Sequence, residues 1–77
     1  MSKATDRAFA VVVMLAGADD ALTLADLTPD GETERQTRRG VDVAVNAGLA
    51  RHDRRRGGYV ATGSGRAAMA QWPGGEA

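Results

Sequence analysis

The segment from Thr33 to Thr62, TERQTRRGVDVAVNAGLARHDRRRGGYVAT, constrains this chain most, because its two halves differ in periodicity and share a sign of charge. The first half is helical in pattern. On a 3.6-residue wheel Thr33, Thr37, Gly40, Val41, Ala44, Val45 and Gly48 cluster on one side. Arg35, Arg39, Asp42 and Asn46 cluster on the other, with Arg38 on the flank. Ala47-Gly48-Leu49 stops the helix, since a glycine just past the last turn takes the left-handed conformation that ends helices. Leu49–His52 and Tyr59–Thr62 then flank a polar tip, Asp53-Arg54-Arg55-Arg56-Gly57-Gly58. Two short strands joined through a glycine pair predict a β-hairpin. A helix presenting arginines, followed by a hairpin presenting more, is suited to gripping a polyanion.

Charge elsewhere in the chain sharpens that expectation. Formal net charge is zero, but residues 1–34 hold two basic side chains against seven acidic ones, whereas residues 35–66 hold eight arginines against Asp42 and Asp53. Charge asymmetry between halves points to nucleic-acid contact. The acidic first half argues against an indiscriminate coat, because it would repel phosphate from every face but one. The use of arginine rather than lysine suits bidentate recognition, or reflects the base composition of the genome; both explanations stand. Arg35 and Arg39 are four residues apart and carry like charge. On an isolated helix such a pair repels by a few tenths of a kcal/mol, as expected of a site that awaits an anion. Glu34–Arg38 and Arg38–Asp42 have the spacing of ordinary helical ion pairs.

The 77 residues make one small domain with a modest core, over 1–77, with the ordered part expected at about 5–72 and the tail 73–77 disordered. Ala8–Ala16 is consistent with a helix or a buried strand by periodicity alone. Its three consecutive valines favour strand, while its length, flanking alanines and the capping residues Thr5 and Asp6 favour a helix from Asp6 to Ala16, ending at Gly17. A turn at Gly17–Asp20 follows, then a one- or two-residue strand at Leu22. Thr23 caps a short helix, Leu24–Leu27, with Asp26 placed for a variant capping box. Pro29-Asp30-Gly31 is a turn, and the long helix starts near Glu32 or Thr33. Gly40 within it costs about 1 kcal/mol relative to alanine, a cost that close approach of a neighbouring helix would explain. Thr62 caps a last helix, Gly63 to about Gln71, burying Ala67, Ala68 and Met69 and ended by Trp72-Pro73. The predicted core is Phe9, Val12, Val13, Leu24, Leu27, Val41, Val45, Leu49, Val60 and Met69.

AGLARHDRRRGGYVATGSGRAAM resembles the second half of a prokaryotic winged helix-turn-helix domain of the MarR-like type, and LTLADL is similar to that family's short second helix. In the family "AGL" closes the recognition helix, a basic glycine-containing wing follows, and T-x-x-G-R opens the next helix. The resemblance covers roughly Leu22 to Met69. Pro29–Glu32 departs from it, being poorer in small apolar anchors. It implies an α+β fold, a small winged helix-turn-helix, ordered helix, strand, helix, helix, strand, wing, strand, helix. It also implies sequence-specific binding of double-stranded DNA by a transcriptional regulator. The long helix would enter the major groove, and the hairpin would touch the flanking backbone or minor groove. Candidate DNA-binding residues are Arg35, Gln36, Arg38, Arg39, Arg51, Arg54, Arg55 and Arg56. Arg35 and Arg39 are the foremost candidates for base edges or phosphate, Gln36 is a possible base reader, and Arg38 a phosphate contact. The alternative is a protein–protein interaction module in which the same arginines meet an acidic partner, since one fold serves both uses.

Other chemistries find no candidates. There is no cysteine and a single histidine, His52, so no metal site is expected by spacing and His52 is expected on a surface strand. Thr62-Gly63-Ser64-Gly65-Arg66 lacks the spacing of a phosphate-binding glycine loop, and Ser64 has no base partner. A non-enzyme without cofactor is expected. The apolar run is too short for a bilayer, no signal peptide is visible, and a cytoplasmic location is expected. A homodimer is expected through Val11, Met14, Leu15 and Trp72, whose apolar surface exceeds what one face of the first helix needs; the alternative is a central first helix with Trp72 folded over its outer face as a lid.

Overall fold

The chain closes around the crossing of its two long helices. The structure, a computed structural model, describes residues 3–71. Its elements run α1 (Lys3–Gly17), α2 (Leu24–Leu27), α3 (Glu34–Asn46), β1 (Ala50–Asp53), β2 (Gly58–Ala61) and α4 (Gly63–Ala70). Among the described residues the fold is thus a small α+β arrangement with one antiparallel two-stranded sheet. Leu22 adds an isolated antiparallel bridge to Tyr59. Its N–H donates to the Tyr59 carbonyl at 3.0 Å, and its own carbonyl accepts from the Tyr59 N–H at 2.8 Å.

The α1–α3 crossing depends on Gly40. A Cβ there would lie 2.6 Å from the Arg7 Cβ and 3.0 Å from the Arg7 carbonyl carbon. The expected close approach is therefore present, and it fixes how α1 is turned. Ala8, one residue on from Arg7, faces α3, and Val11, Val12 and Leu15 follow on the same face at helical spacing. These four, with Leu27, Val41, Ala44, Ala50 and Ala61, form the buried core. The expected phase of α1 is off by one position: Val13 is 53% exposed and Phe9 only half-buried. Sequence periodicity weighs side-chain bulk, but here a small-residue crossing selects the face. Val45 is likewise 39% exposed, because Thr37, Gly40, Val41 and Ala44 already fill the packed side of α3. Leu24, Leu49, Val60 and Met69 lie half-buried around the core. Val11 and Leu15 are consumed by the fold of the single chain, which removes the expected dimer surface in that form; Trp72 lies outside the described residues.

The caps follow the sequence closely. Thr23 and Asp26 form a full capping box on α2. Thr33 and Gln36 form another on α3, so that helix starts at Glu34. Gly48, at φ +77°, closes α3. Its N–H donates to Val45 and the Leu49 N–H to Ala44, the paired bonds of a Schellman ending. Thr62 Oγ1 donates to the Gly48 carbonyl and accepts from the Gly65 N–H, tying the end of α3 to the start of α4. Helix α1 begins at Lys3, not Asp6, so Thr5 and Asp6 sit within its first turn. In α4 the buried residue is Gly65, and Ala67 is exposed, against expectation. Gly65 passes so close to Leu49 that a side chain would meet its carbonyl oxygen, which sets the rotation of the helix. The expected disorder of 73–77 falls outside the described residues.

Candidate nucleic-acid interface

Two arginine groups reach the surface from different elements. On α3, Arg35, Arg38 and Arg39 are all exposed. Arg35 and Arg39 lie opposite the strip of Thr37, Gly40, Val41 and Ala44 that packs on α1, and Arg38 stands on its flank. Neither Glu34–Arg38 nor Arg38–Asp42 closes into an ion pair: among the described residues the ion pairs involve only Arg7, Arg51 and Arg56 as cations. The three arginines of α3 are therefore not held in ion pairs among the described residues, and they outnumber Glu34 and Asp42 on the same helix.

The hairpin is shorter at its tip than expected. Asp53 and Gly58 are the last paired residues of the ladder, leaving Arg54–Gly57 as the turn. Asp53 organises that turn, its Oδ1 accepting from the N–H groups of Arg55 at 3.0 Å and Arg56 at 3.2 Å. Gly57, at φ +73°, donates its N–H to the Asp53 carbonyl. A Cβ on Gly58 would lie 2.6 Å from the Leu22 carbonyl oxygen, so the glycine pair has two separate duties, a left-handed turn and a close backbone approach.

The four hairpin arginines are not equivalent. Arg56 approaches Asp53 at 3.8 Å and Asp20 at 3.9 Å, and Arg51 approaches Asp53 at 3.9 Å. Arg51, Arg56 and Arg66 share a polar cleft of about 150 Å³ with Asp19, Asp20 and Asp53, between the end of α1, the hairpin and the start of α4. Opposite charges balance there. Arg54 and Arg55 are exposed and have no acidic partner among the described residues. Arg66 also donates from Nη1 to the Ala16 carbonyl at 3.3 Å, meeting the open end of α1.

Gln36 is more constrained than a free base reader. Its Oε1 accepts from the Thr33 N–H at 3.0 Å while its own N–H donates to Thr33 Oγ1. Its side-chain NH₂ and one lone pair of Oε1 are left to address a ligand. Residue type at the third helical position, Thr-x-x-Gln, carried this signal in the sequence. His52 is an exposed strand residue, stacked edge-on against Tyr59 with ring centroids 5.0 Å apart. No group of three or more His, Cys, Asp or Glu residues is placed to hold a metal among the described residues. No helix described is long and apolar enough to cross a membrane.

Comparison with known proteins adds no relative: no family model matches the chain, and neither a curated protein nor a solved structure matches it.

Proposed function

We propose that this chain is a winged helix-turn-helix domain that binds double-stranded DNA sequence-specifically, as a transcriptional regulator does. The observation that carries this is the set of exposed arginines held in no ion pair. Arg35, Arg38 and Arg39 on α3, with Arg54 and Arg55 at the hairpin tip, are exposed and without acidic partners among the described residues. This occurs although Glu34 and Asp42 stand on the same helix, neither closing an ion pair with these arginines. In this reading the short capped α2, the turn and the capped α3 serve as the helix-turn-helix, and the hairpin with the Leu22 bridge serves as the wing.

In this arrangement α3 enters the major groove, with Arg35 and Arg39 addressing base edges or phosphate and Arg38 addressing phosphate. Arg54 and Arg55 follow the adjacent backbone or reach into the minor groove. Arg51 and Arg56 act second, because aspartates already face them.

Fluorescence anisotropy on labelled duplex at several salt concentrations tests the reading. Four to six arginine–phosphate contacts predict log K falling against log salt with a slope of roughly −4 to −5. Arg54→Ala or Arg55→Ala should weaken all sequences alike and reduce the slope by about 1. Arg39→Ala should cost about 1–3 kcal/mol and relax sequence preference. Affinity independent of salt would overturn the assignment. Absence of any duplex binding, with capture of an acidic protein surface instead, would establish the interaction-module alternative.

A further inference from the structure

The outward face of α3 changes character halfway along, and that change identifies a residue that reads sequence. Its first part is Arg35, Gln36 and Arg39; its second is Asp42, Val43 and Asn46, all exposed. A carboxylate and a valine have nothing to offer a phosphate, and Asp42 repels one. The second half of the helix is therefore unsuited to tracking a backbone. If α3 lies in the groove, this half meets base edges. Val43 stands 36% exposed on this polar face, one helical turn beyond Arg39. The apolar group that a major groove presents is the C5 methyl of thymine. Gln36 already shares its Oε1 with the Thr33 N–H, whereas Arg39, one helical turn before Val43, is exposed and without an ion-pair partner among the described residues, and its fork suits the O6 and N7 of guanine.

We infer that Val43 is a specificity-determining residue that packs on the methyl group of a thymine. The inference rests on the proposed DNA reading and extends it to one base. The spacing places that base. Four residues of α-helix rise about 6 Å, against roughly 3.4 Å per step of duplex, so the thymine lies about two base pairs from the guanine that Arg39 contacts.

Selection from random duplexes by the wild-type protein first yields its preferred site. Each thymine in that site is then replaced singly by deoxyuridine, which removes the methyl and changes no hydrogen bond. One replacement, about two base pairs from a guanine, should weaken wild-type binding about fourfold, the worth of one buried methyl-sized group. Val43→Ala should bind the thymine duplex about fourfold more weakly, and should show no further loss on the deoxyuridine duplex. Val43 is on the surface, and a control melt of the variant should match the wild type. If every deoxyuridine replacement is silent, or Val43→Ala loses equally on both duplexes while Arg39→Ala still relaxes specificity, the role of Val43 is overturned and the DNA reading survives. If no duplex is bound at all, both fall together.

Discussion

At Gly40 there is no room for a side chain, because Arg7 occupies the place where one would begin. Gly40→Ala improves helix propensity by about 1 kcal/mol, but overpacking at a tight crossing costs about 1–3 kcal/mol, and two of the three nearest atoms belong to backbone, which moves least easily. The variant should be less stable in urea; a more stable one would show that α1 slides on α3. The same scale governs Asp20. Its carboxylate approaches Arg56 at 3.9 Å in an exposed pair worth at most about 1 kcal/mol, so its removal should barely change stability. Asp20→Asn should nonetheless tighten duplex binding and steepen the salt slope by up to about 1, because Arg56 loses an internal competitor for phosphate. Binding weaker than wild type would show that Asp20 orients Arg56 for its contact.

Between residues and fold stand the caps and faces, and here the sequence was unevenly legible. Thr23 with Asp26, Gly48 after Ala47, and Thr62 before Gly63 declared their helix ends, since capping is local chemistry written in residue type and spacing. The rotation of α1 was not local. Val11, Val12 and Val13 are equivalent to periodicity, and the choice among them is made by Gly40, twenty-seven residues beyond the last of them. For the same reason the charge balance of Arg56 was hidden, since Asp20 meets it only once Leu22 bridges to Tyr59. Substitutions expose the difference. Val41→Ala, fully buried, should cost about 2 kcal/mol, whereas Val45→Ala should stay within about 0.5 kcal/mol of wild type. Equal costs would mean that α3 is turned otherwise. With Val11 and Leu15 inside, the face of α1 left for a second copy is Ala10, Val13 and Met14. Sedimentation of wild type beside Met14→Glu tests that face: a dimer that the substitution splits assigns it, and a wild-type monomer removes it.

For the molecule as a whole, a thin core and a separated charge bear on the same quantity. Among the described residues four of the nine in the buried core are alanines, which contribute little apolar area each. A domain of this size with such a core should sit near the low end of ordinary stability, about 5 kcal/mol. Arg35 and Arg39, four apart and of like charge, lower it further by a few tenths of a kcal/mol, and neither is held in an ion pair among the described residues. A duplex that binds only the folded chain must therefore stabilise it visibly. At a free concentration one hundred times Kd, mass action adds about 2.7 kcal/mol, which for a domain this small raises Tm by about 10–20 °C. The shift should shrink steeply with added salt if phosphate neutralisation drives it. Heparin separates the polyanion term from the groove: it can engage the same arginines but offers no base edges. Arg54→Ala should reduce the shift with either ligand, whereas Val43→Ala should reduce it only with the selected duplex. A Tm indifferent to duplex at low salt, in a protein shown to be folded, would place the arginines of α3 and the hairpin outside any nucleic-acid surface.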